Sequence, residues 1–345
     1  MNAVVECVPN ISEGRNLDLI HAVVDASRVD GCSVLSIEPD ADYNRTVITL
    51  AGEPEAVAEA ATLLSVEAIR RIDMRMHAGE HPRLGAVDVC PFIPIQGIDM
   101  DACAALATKV AQSVAQKTGA PTFLYGASAT HPARAKLSSL RKGEYEGLQE
   151  RMKQDGTTSH TDTRWPDFGS TSWNDIAAKS GGCTYGARPV LIAYNVNVPE
   201  TNANVAKMIG TIIRGSGRIV ARHDDAKLRV PGMLESVQGM GVTLEQHSMS
   251  QVSMNLTNAE ACGLLHAFET VKSLAADHGL NVTGSELVGL VPLESMLEAG
   301  RWYAPEATTD EARVEAAISG LGLDAFAPFE PTSRIIEWAL KEAMS

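Results

Sequence analysis

The densest group of reactive side chains in this 345-residue sequence lies between His77 and Gly85. Two imidazoles, a carboxylate, a guanidinium and two glycines fall within these nine residues, and the apolar segment Ala86–Pro94 follows directly. The polar part buries little apolar surface, whereas the apolar part is typical of a buried strand. A rigid strand that carries ionisable groups on an adjoining loop is a common scaffold for a catalytic site.

His81 is the candidate proton carrier of this loop. Pro82 biases the preceding residue toward extended backbone, so we expect His81 outside any helix. Imidazole has a reference pKa of about 6.5 and can take up and release a proton near neutral pH. Glu80 or Asp88 could orient the ring. The competing interpretation is a surface histidine beside an ion-pairing Arg83, and the residues alone leave the two interpretations about equal.

A metal site is the alternative for the same loop. His77 and His81 have the four-residue spacing of two ligands on one helix face. The motif is H-A-G-E-H, however, not H-E-x-x-H, and its glycine and the following proline disfavour a helix. We therefore expect no metal, and a metal-dependent hydrolase is kept only as an alternative.

The six cysteines form no C-x-x-C pair and lie far apart. We expect reduced, mostly buried thiols in a cytoplasmic protein. Cys90 is the best candidate for a catalytic cysteine because it follows the polar loop, but its neighbours are typical of a core.

A second polar group lies on the connection between two predicted strands. It contains Asp40, Asp42, Asn44 and Arg45. These side chains could hold a cationic or amidine-bearing group together with a carboxylate. Asp and Asn also favour turns for backbone reasons, and on composition alone a solvated turn is the favoured interpretation.

The composition excludes several classes of function. The formal net charge is −14, so we expect no nucleic-acid partner, and an anionic ligand would need a local group of arginines. No apolar run reaches the roughly 18–20 residues of a membrane helix, and no basic, cleavable signal segment opens the chain. The length favours two domains over one core.

The element order predicts an α+β fold of two ferredoxin-like lobes. In the first lobe, strands near 4–9, 32–37, 46–51 and 87–95 alternate with helices in the order β-α-β-β-α-β. The second lobe approximates the same order, with strands near 189–197, 217–222, 251–256 and 281–291. We expect lobes over 1–182 and 183–345, with a ligand groove between them.

Two further segments stand out. Gln149 to Gly182 is rich in Asp, Thr, Ser and Gly, which is typical of a linker or a functional flap. Gly284–Pro292 has the pattern of a core strand, and its Glu286 would need a partner if the carboxylate were buried.

Several segments together resemble one family, glutamate formiminotransferase, the N-terminal half of the bifunctional formiminotransferase-cyclodeaminase. The matching segments run in order along nearly the whole chain: Val5–Gly14, Asn44–Val47, His77–Pro94, Lys142–Leu148, Pro166–Gly169, Gly186–Arg188, Leu191–Asn197, Gln251–Leu256 and Gly284–Pro292.

The resemblance implies transfer of a formimino group from N-formimino-L-glutamate to N5 of tetrahydrofolate, in a cytoplasmic homodimer that acts in histidine catabolism and needs no metal. The family's catalytic histidine falls on His81, acting as general base and then general acid. Its folate-contacting stretch falls on about Gly169 to Gly181. The candidate binding residues in that stretch are Gly169, Ser170, Thr171, Ser172 and Gly181. Arg45, Arg83 and Arg188 are the candidate partners for the substrate carboxylates.

The sequence departs from the family pattern in the second lobe. Gly232–Gln238 lacks two positive charges that are usual there, one of them replaced by Glu235, and Asn258 stands where an Asp is usual. These changes leave open another formimino donor such as formiminoglycine, a formyl donor, or a non-catalytic folate-binding paralogue.

Overall fold

The chain divides into two units, Met1–Arg188 and Pro189–Ala343, in the computed structural model of the protein. The structure describes residues 3–41, 43–79, 82–152, 165–199, 203–221, 227–244 and 248–343. Each unit has its own sheet and its own apolar core. Within these ranges, no helix combines the length and the apolar character that crossing a membrane requires.

The first unit alternates strands and helices. Its elements are β1 (Val4–Cys7), β2 (Asn10–Ile11), α1 (Leu17–Asp25), β3 (Cys32–Asp40), β4 (Arg45–Gly52), α2 (Pro54–Arg71), β5 (Val87–Gln96), α3 (Met100–Thr118), β6 (Thr122–Gly126), α4 (Leu137–Leu140), α5 (Glu144–Arg151), α6 (Asp175–Ser180) and β7 (Cys183–Ala187).

The seven strands of this unit form one sheet. β1 and β2 act as one interrupted strand, since both pair antiparallel with β4 on one side and β5 on the other. β3 lies outside β4, which completes the strand order of a ferredoxin-like lobe. α3 then leads to β6, and β7 inserts between β5 and β6 with parallel pairing to both. The sheet therefore extends beyond the β-α-β-β-α-β motif.

One face of this sheet carries the main core. Alternate residues of β4, Ile48 and Leu50, point toward α2 and α3 and are fully buried, as the two-residue period of a strand requires. Arg45 and Thr49 point to the opposite face. A smaller apolar cluster, which includes Phe123 and Leu148, covers part of that opposite face under α4 and α5.

The second unit has a separate four-stranded sheet. Its elements are β8 (Ile192–Val198), α7 (Asn204–Ile213), β9 (Arg218–Ala221), β10 (Lys227–Val230), β11 (Val237–Leu244), β12 (Met249–Leu256), α8 (Leu264–Ala276), β13 (Gly284–Val288), α9 (Leu293–Tyr303), α10 (Asp310–Leu321), α11 (Pro331–Arg334) and α12 (Ile336–Ala343). The order β11-β12-β8-β13 is antiparallel throughout, again as in a ferredoxin-like lobe.

The predicted α+β class is confirmed, and three details differ. Among the described residues, the strand predicted near 217–222 pairs in the separate β9–β10 hairpin, and the second strand of the main sheet is β11. β7, assigned from the sequence to the second lobe, completes the sheet of the first, so the division falls after Arg188. The segment predicted as a loop to residue 182 contains α6, capped by Asn174.

Candidate active site

Two chain segments that the sequence singled out are joined by backbone hydrogen bonds. Gly85 and Gly181 form an isolated antiparallel bridge, in which Ala86 N–H donates to Ser180 O at 2.7 Å and Gly182 N–H donates to Leu84 O at 3.0 Å. Gly181 has a φ of +63°, and a β-carbon there would clash with the Leu84 carbonyl oxygen. The polar loop before β5 is therefore held against the end of the 169–181 stretch.

Two further connections meet the same loop. Ser12, just after β2, donates its Oγ–H to Gly85 O at 2.8 Å. Asn44 is buried in the left-handed region, with φ of +48°. Its Oδ1 accepts from Gly14 N–H at 2.9 Å and its Nδ2 donates to Ala78 O at 3.0 Å. The predicted site residue Asn44 thus ties the turn after β2 to the histidine loop.

Both ring nitrogens of His77 are engaged. Nδ1 faces the Nε–H of Arg83 at 3.1 Å, and Nε2 faces the carbonyl oxygen of Asn44 at 2.8 Å. Because a guanidinium can only donate and a carbonyl can only accept, Nδ1 carries the lone pair and Nε2 the proton. Burial lowers the pKa of His77, as does the nearby Arg83 charge. His77 is therefore a neutral structural residue with no lone pair available for a metal.

Arg83 is buried and clamps the loop. Its Nη2 donates to Glu146 Oε1 at 2.5 Å, and its Nη1 donates to Glu146 Oε2 at 2.8 Å and to Glu144 Oε2 at 3.2 Å. The fork geometry pairs both carboxylate oxygens of Glu146, which lowers the pKa of that carboxyl. These contacts engage the guanidinium within the protein. Arg83, predicted from the sequence to bind a substrate carboxylate, therefore supports the loop.

The sheet face opposite α2 and α3 carries a charged group of three residues. Asp88 is fully buried and accepts from Leu84 N–H at 2.9 Å and from Arg141 Nε at 3.2 Å, with a second contact to Arg141 Nη2. The predicted site residue Arg45 lies close by. Burial lowers its pKa, whereas the Asp88 carboxylate raises it. Asp40 lies across the β3–β4 hairpin from Arg45.

The start of the predicted folate-contacting stretch is firmly anchored. Asp167 and Arg134 form a buried ion pair at 2.5 Å, and Asp167 also accepts from Leu124 N–H at 2.7 Å. Gly169, with φ of +85°, packs on the Ala120 carbonyl, where no side chain would fit.

The three polar residues that follow form a local hydrogen-bonded turn at the surface. Ser170 donates its Oγ–H to Ser172 O at 2.9 Å. Thr171 and Ser172 are exposed, so their hydroxyl groups are accessible to a ligand.

Of the other site residues predicted from the sequence, one lies away from the histidine loop and two lie outside the described residues. Arg188 follows the end of β7, where its N–H donates to Phe92 O. At about 3.3 Å per residue, the strand places Arg188 on the order of 20 Å from Gly181. Asp42 and His81 lie outside the described residues.

Cys90 has no accessible surface and lies 3.5 Å from the Sγ of Cys7, between β5 and β1. All six cysteines are free thiols in the structure. Since a buried thiol cannot reach a substrate, the geometry does not favour Cys90 as a nucleophile. No group of His, Cys, Asp or Glu with the geometry of a metal site occurs among residues that the structure describes.

The second unit has a polar sheet face with three side chains linked by hydrogen bonds. Gln251 donates its Nε2 to Asn197 Oδ1 at 2.8 Å and to Glu286 Oε2 at 3.3 Å. Asn197 is fully buried, whereas Glu286 is exposed. Glu286, which would have needed a partner if buried, lies on the edge strand β13 with its side chain exposed.

Sequence reasoning missed Arg141 and Glu146. Arg141 follows α4 and Glu146 lies in α5; the resemblance covered Lys142–Leu148 but assigned neither residue a role. The signal available was indirect: an aspartate inside the apolar run Ala86–Pro94 requires a cationic partner if that run is a buried strand.

Comparison with known proteins identifies the class. A family model described as the N-terminal subdomain of the formiminotransferase domain matches residues 4–188, and a model described as the formiminotransferase domain matches residues 193–341. The chain belongs to the formiminotransferase domain family.

The named relatives differ in how much of their own length this chain matches. Formimidoyltransferase-cyclodeaminase of Rattus norvegicus is 40% identical over 99% of this chain, which spans 61% of that protein. Glutamate formimidoyltransferase of Streptococcus pyogenes serotype M1 is 39% identical over 88% of this chain and 94% of its own length. The Thermoplasma acidophilum protein of the same name is 35% identical over 90% of this chain and 96% of its own length. The chain thus spans about three fifths of the formimidoyltransferase-cyclodeaminase and nearly all of the two proteins named glutamate formimidoyltransferase.

Proposed function

We propose that this protein transfers a formimino group from N-formimino-L-glutamate to N5 of tetrahydrofolate, giving 5-formiminotetrahydrofolate and glutamate. The observation that supports this most directly is the 39% identity to a relative named glutamate formimidoyltransferase, over 94% of that relative's length. Tetrahydrofolate is the acceptor substrate in this proposal, and the chemistry below requires no metal.

The reaction needs one group that moves a proton between two nitrogens. N5 attacks the amidine carbon, a C–N bond forms, and N5 loses its proton. The bond between that carbon and the glutamate nitrogen then breaks, and the departing amine takes up the proton. We assign this relay to His81, as general base and then general acid. The engagement of both ring nitrogens of His77 supports the assignment, because it commits the other imidazole of the motif to contacts within the protein.

The surroundings of the loop support a positioning mechanism. The Arg83–Glu146 pair and the Gly85–Gly181 bridge hold the end of the loop next to β5, and the Asn44–Ala78 hydrogen bond holds its beginning. Two substrates held in line gain rate because their relative motion is already restricted. We assign Arg45 to a substrate carboxylate and the exposed Thr171 and Ser172 to folate contacts. The interlobe groove and the homodimer stay predictions from the resemblance.

A different formimino or formyl donor is the second candidate. It is favoured by the unusual segment before β11, where Met233 and Glu235 are exposed and Leu234 is buried. The missing positive charges therefore alter surface electrostatics of the second unit and leave its core intact.

A donor screen tests the proposal. Purified protein and tetrahydrofolate are mixed with formiminoglutamate, formiminoglycine or a formyl donor, and the folate product is followed by absorbance and glutamate release by a coupled assay. We expect turnover with formiminoglutamate at the highest kcat/KM. Turnover only with another donor would show that formiminoglutamate is not the substrate. Binding of folinate in calorimetry without turnover of any donor would contradict an enzymatic role.

A further inference from the structure

An open polar cavity of about 620 Å³ lies beside the histidine loop. Residues of the turn after β2, the first turn of α1 and the β3–β4 connection line it: Glu13, Arg15, Asn16, Leu17, Asp18 and Asn44. None of these residues except Asn44 belongs to the site predicted from the sequence. A cavity of this volume exceeds what a single amino-acid derivative occupies, so such a ligand would fit with water.

Arg15 and Glu13 present opposite charges to this cavity. Arg15 donates its Nε–H to Ala41 O at 2.8 Å, which orients the guanidinium, and its two Nη groups make no ion pair with any residue in the described ranges. Glu13 accepts from the N–H groups of Arg15 and Asn16 through Oε1, at 2.8 and 2.9 Å. Its Oε2 takes neither bond, so a guanidinium donor and a carboxylate acceptor both line the cavity.

The cavity is coupled to the loop through short contacts. Asn44 forms part of its wall and donates to Ala78 O, within the histidine loop. The charges of Glu13 and Arg15 both act on the pKa of His77, in opposite directions. Thr46 Oγ1 donates to Glu13 O at 2.5 Å and fixes the turn to β4. A ligand in this cavity would therefore lie beside the described part of the histidine loop, at His77 and Ala78.

We propose that this cavity is the pocket for the formimino donor, with Arg15 binding a substrate carboxylate and Glu13 Oε2 accepting from the amidinium. This inference rests on the proposed function and adds the donor site to it. N-formimino-L-glutamate carries a planar cation and carboxylates, and an arginine fork with an adjoining carboxylate is complementary to both. Neither residue takes part in proton transfer, so both act on donor binding.

Substitution of Arg15 tests the pocket. Removing a hydrogen bond between charged groups is worth roughly 10- to 100-fold in affinity. We therefore expect Arg15→Ala to raise KM for formiminoglutamate by about that factor, with KM for tetrahydrofolate unchanged, and Arg15→Lys to retain part of the affinity. Glu13→Gln keeps the acceptor for the backbone N–H groups and should raise the same KM. The matched control is Arg28→Ala, because Arg28 lies past the other end of α1 in an exposed pair with Asp25.

Calorimetry separates this inference from the proposed function. Titration of the unmodified protein with formiminoglutamate alone should show binding that Arg15→Ala weakens and Arg28→Ala does not, whether or not turnover occurs. Equal affinity in the Arg15→Ala and Arg28→Ala variants, or no binding to the unmodified protein, would overturn the pocket. Turnover without an effect of Arg15 would leave the reaction in place and reject this donor site alone.

Discussion

Arg83 donates its Nε–H to Nδ1 of His77 at 3.1 Å, and this contact determines the state of the imidazole. The acceptor nitrogen must be unprotonated, so the other nitrogen holds the proton and donates it to the Asn44 carbonyl. A histidine fixed in this way cannot shuttle a proton without losing one of its two hydrogen bonds. We therefore predict a structural role for His77 and proton transfer for His81.

Substitution of the two histidines should separate these roles. We expect His81→Ala to lower kcat by about two to four orders of magnitude, the usual contribution of a general acid–base group, while folinate still binds. His77→Gln keeps one donor and one acceptor and should retain most of kcat. Steady-state kinetics and calorimetry with folinate make the comparison. An unchanged kcat in His81→Ala would reject the proton relay.

The protonation state of His77 predicts a pH dependence of stability. Its folded pKa lies below the ordinary value of 6.5, which applies to the unfolded chain. The unfolded state therefore binds more protons below pH 6.5, so this contribution to stability is complete above that pH and is lost as the pH falls toward the folded pKa. Urea unfolding between pH 7.5 and about pH 5 should show a smaller loss in His77→Gln than in the unmodified protein. Equal slopes would contradict a lowered pKa for the half-buried His77 imidazole.

The Asp88–Arg141 pair should contribute strongly to stability. Asp88 is 1% exposed, and Arg141→Ala would leave its carboxylate with the Leu84 N–H and the charge of Arg45 nearby. Loss of one member of a buried pair typically costs about 3–5 kcal/mol. The control is Lys109→Ala, which breaks an exposed pair with Glu55 and should cost at most about 1 kcal/mol. Chemical denaturation measures both, and similar losses would show that burial of Asp88 does not matter.

Gly181→Ala should disturb the Gly85–Gly181 bridge, which joins the histidine loop to the 169–181 stretch. The left-handed backbone and the clash with the Leu84 carbonyl together predict a loss of about 1–3 kcal/mol and a reduced kcat/KM. Gly279 also has a positive φ, of 72°, but no atom lies within 4 Å of its added β-carbon. Gly279→Ala therefore reports the conformational cost alone, and its kcat/KM should be unchanged. If both variants had the same kcat/KM, the Gly85–Gly181 bridge would have no role in positioning the candidate active site.

Local pattern was enough to predict much of the fold. The alternation in Arg45–Gly52 and the helical spacing in Pro54–Arg71 each follow from one short segment, because the period of an element is a property of adjacent residues. The order of elements then limited the first lobe to a ferredoxin-like arrangement. The placement of β7 between β5 and β6 did not follow, since pairing between distant strands leaves no local signal.

The sequence by itself determined that His77–Gly85 is a polar loop ahead of a buried strand, and that the charges there need partners. Only the tertiary structure decided which partners they have: Glu146 for Arg83 and Arg141 for Asp88, each more than fifty positions away along the chain. Residue type sets the free-energy cost of burying an unpaired charge, but which residues meet depends on how distant elements pack.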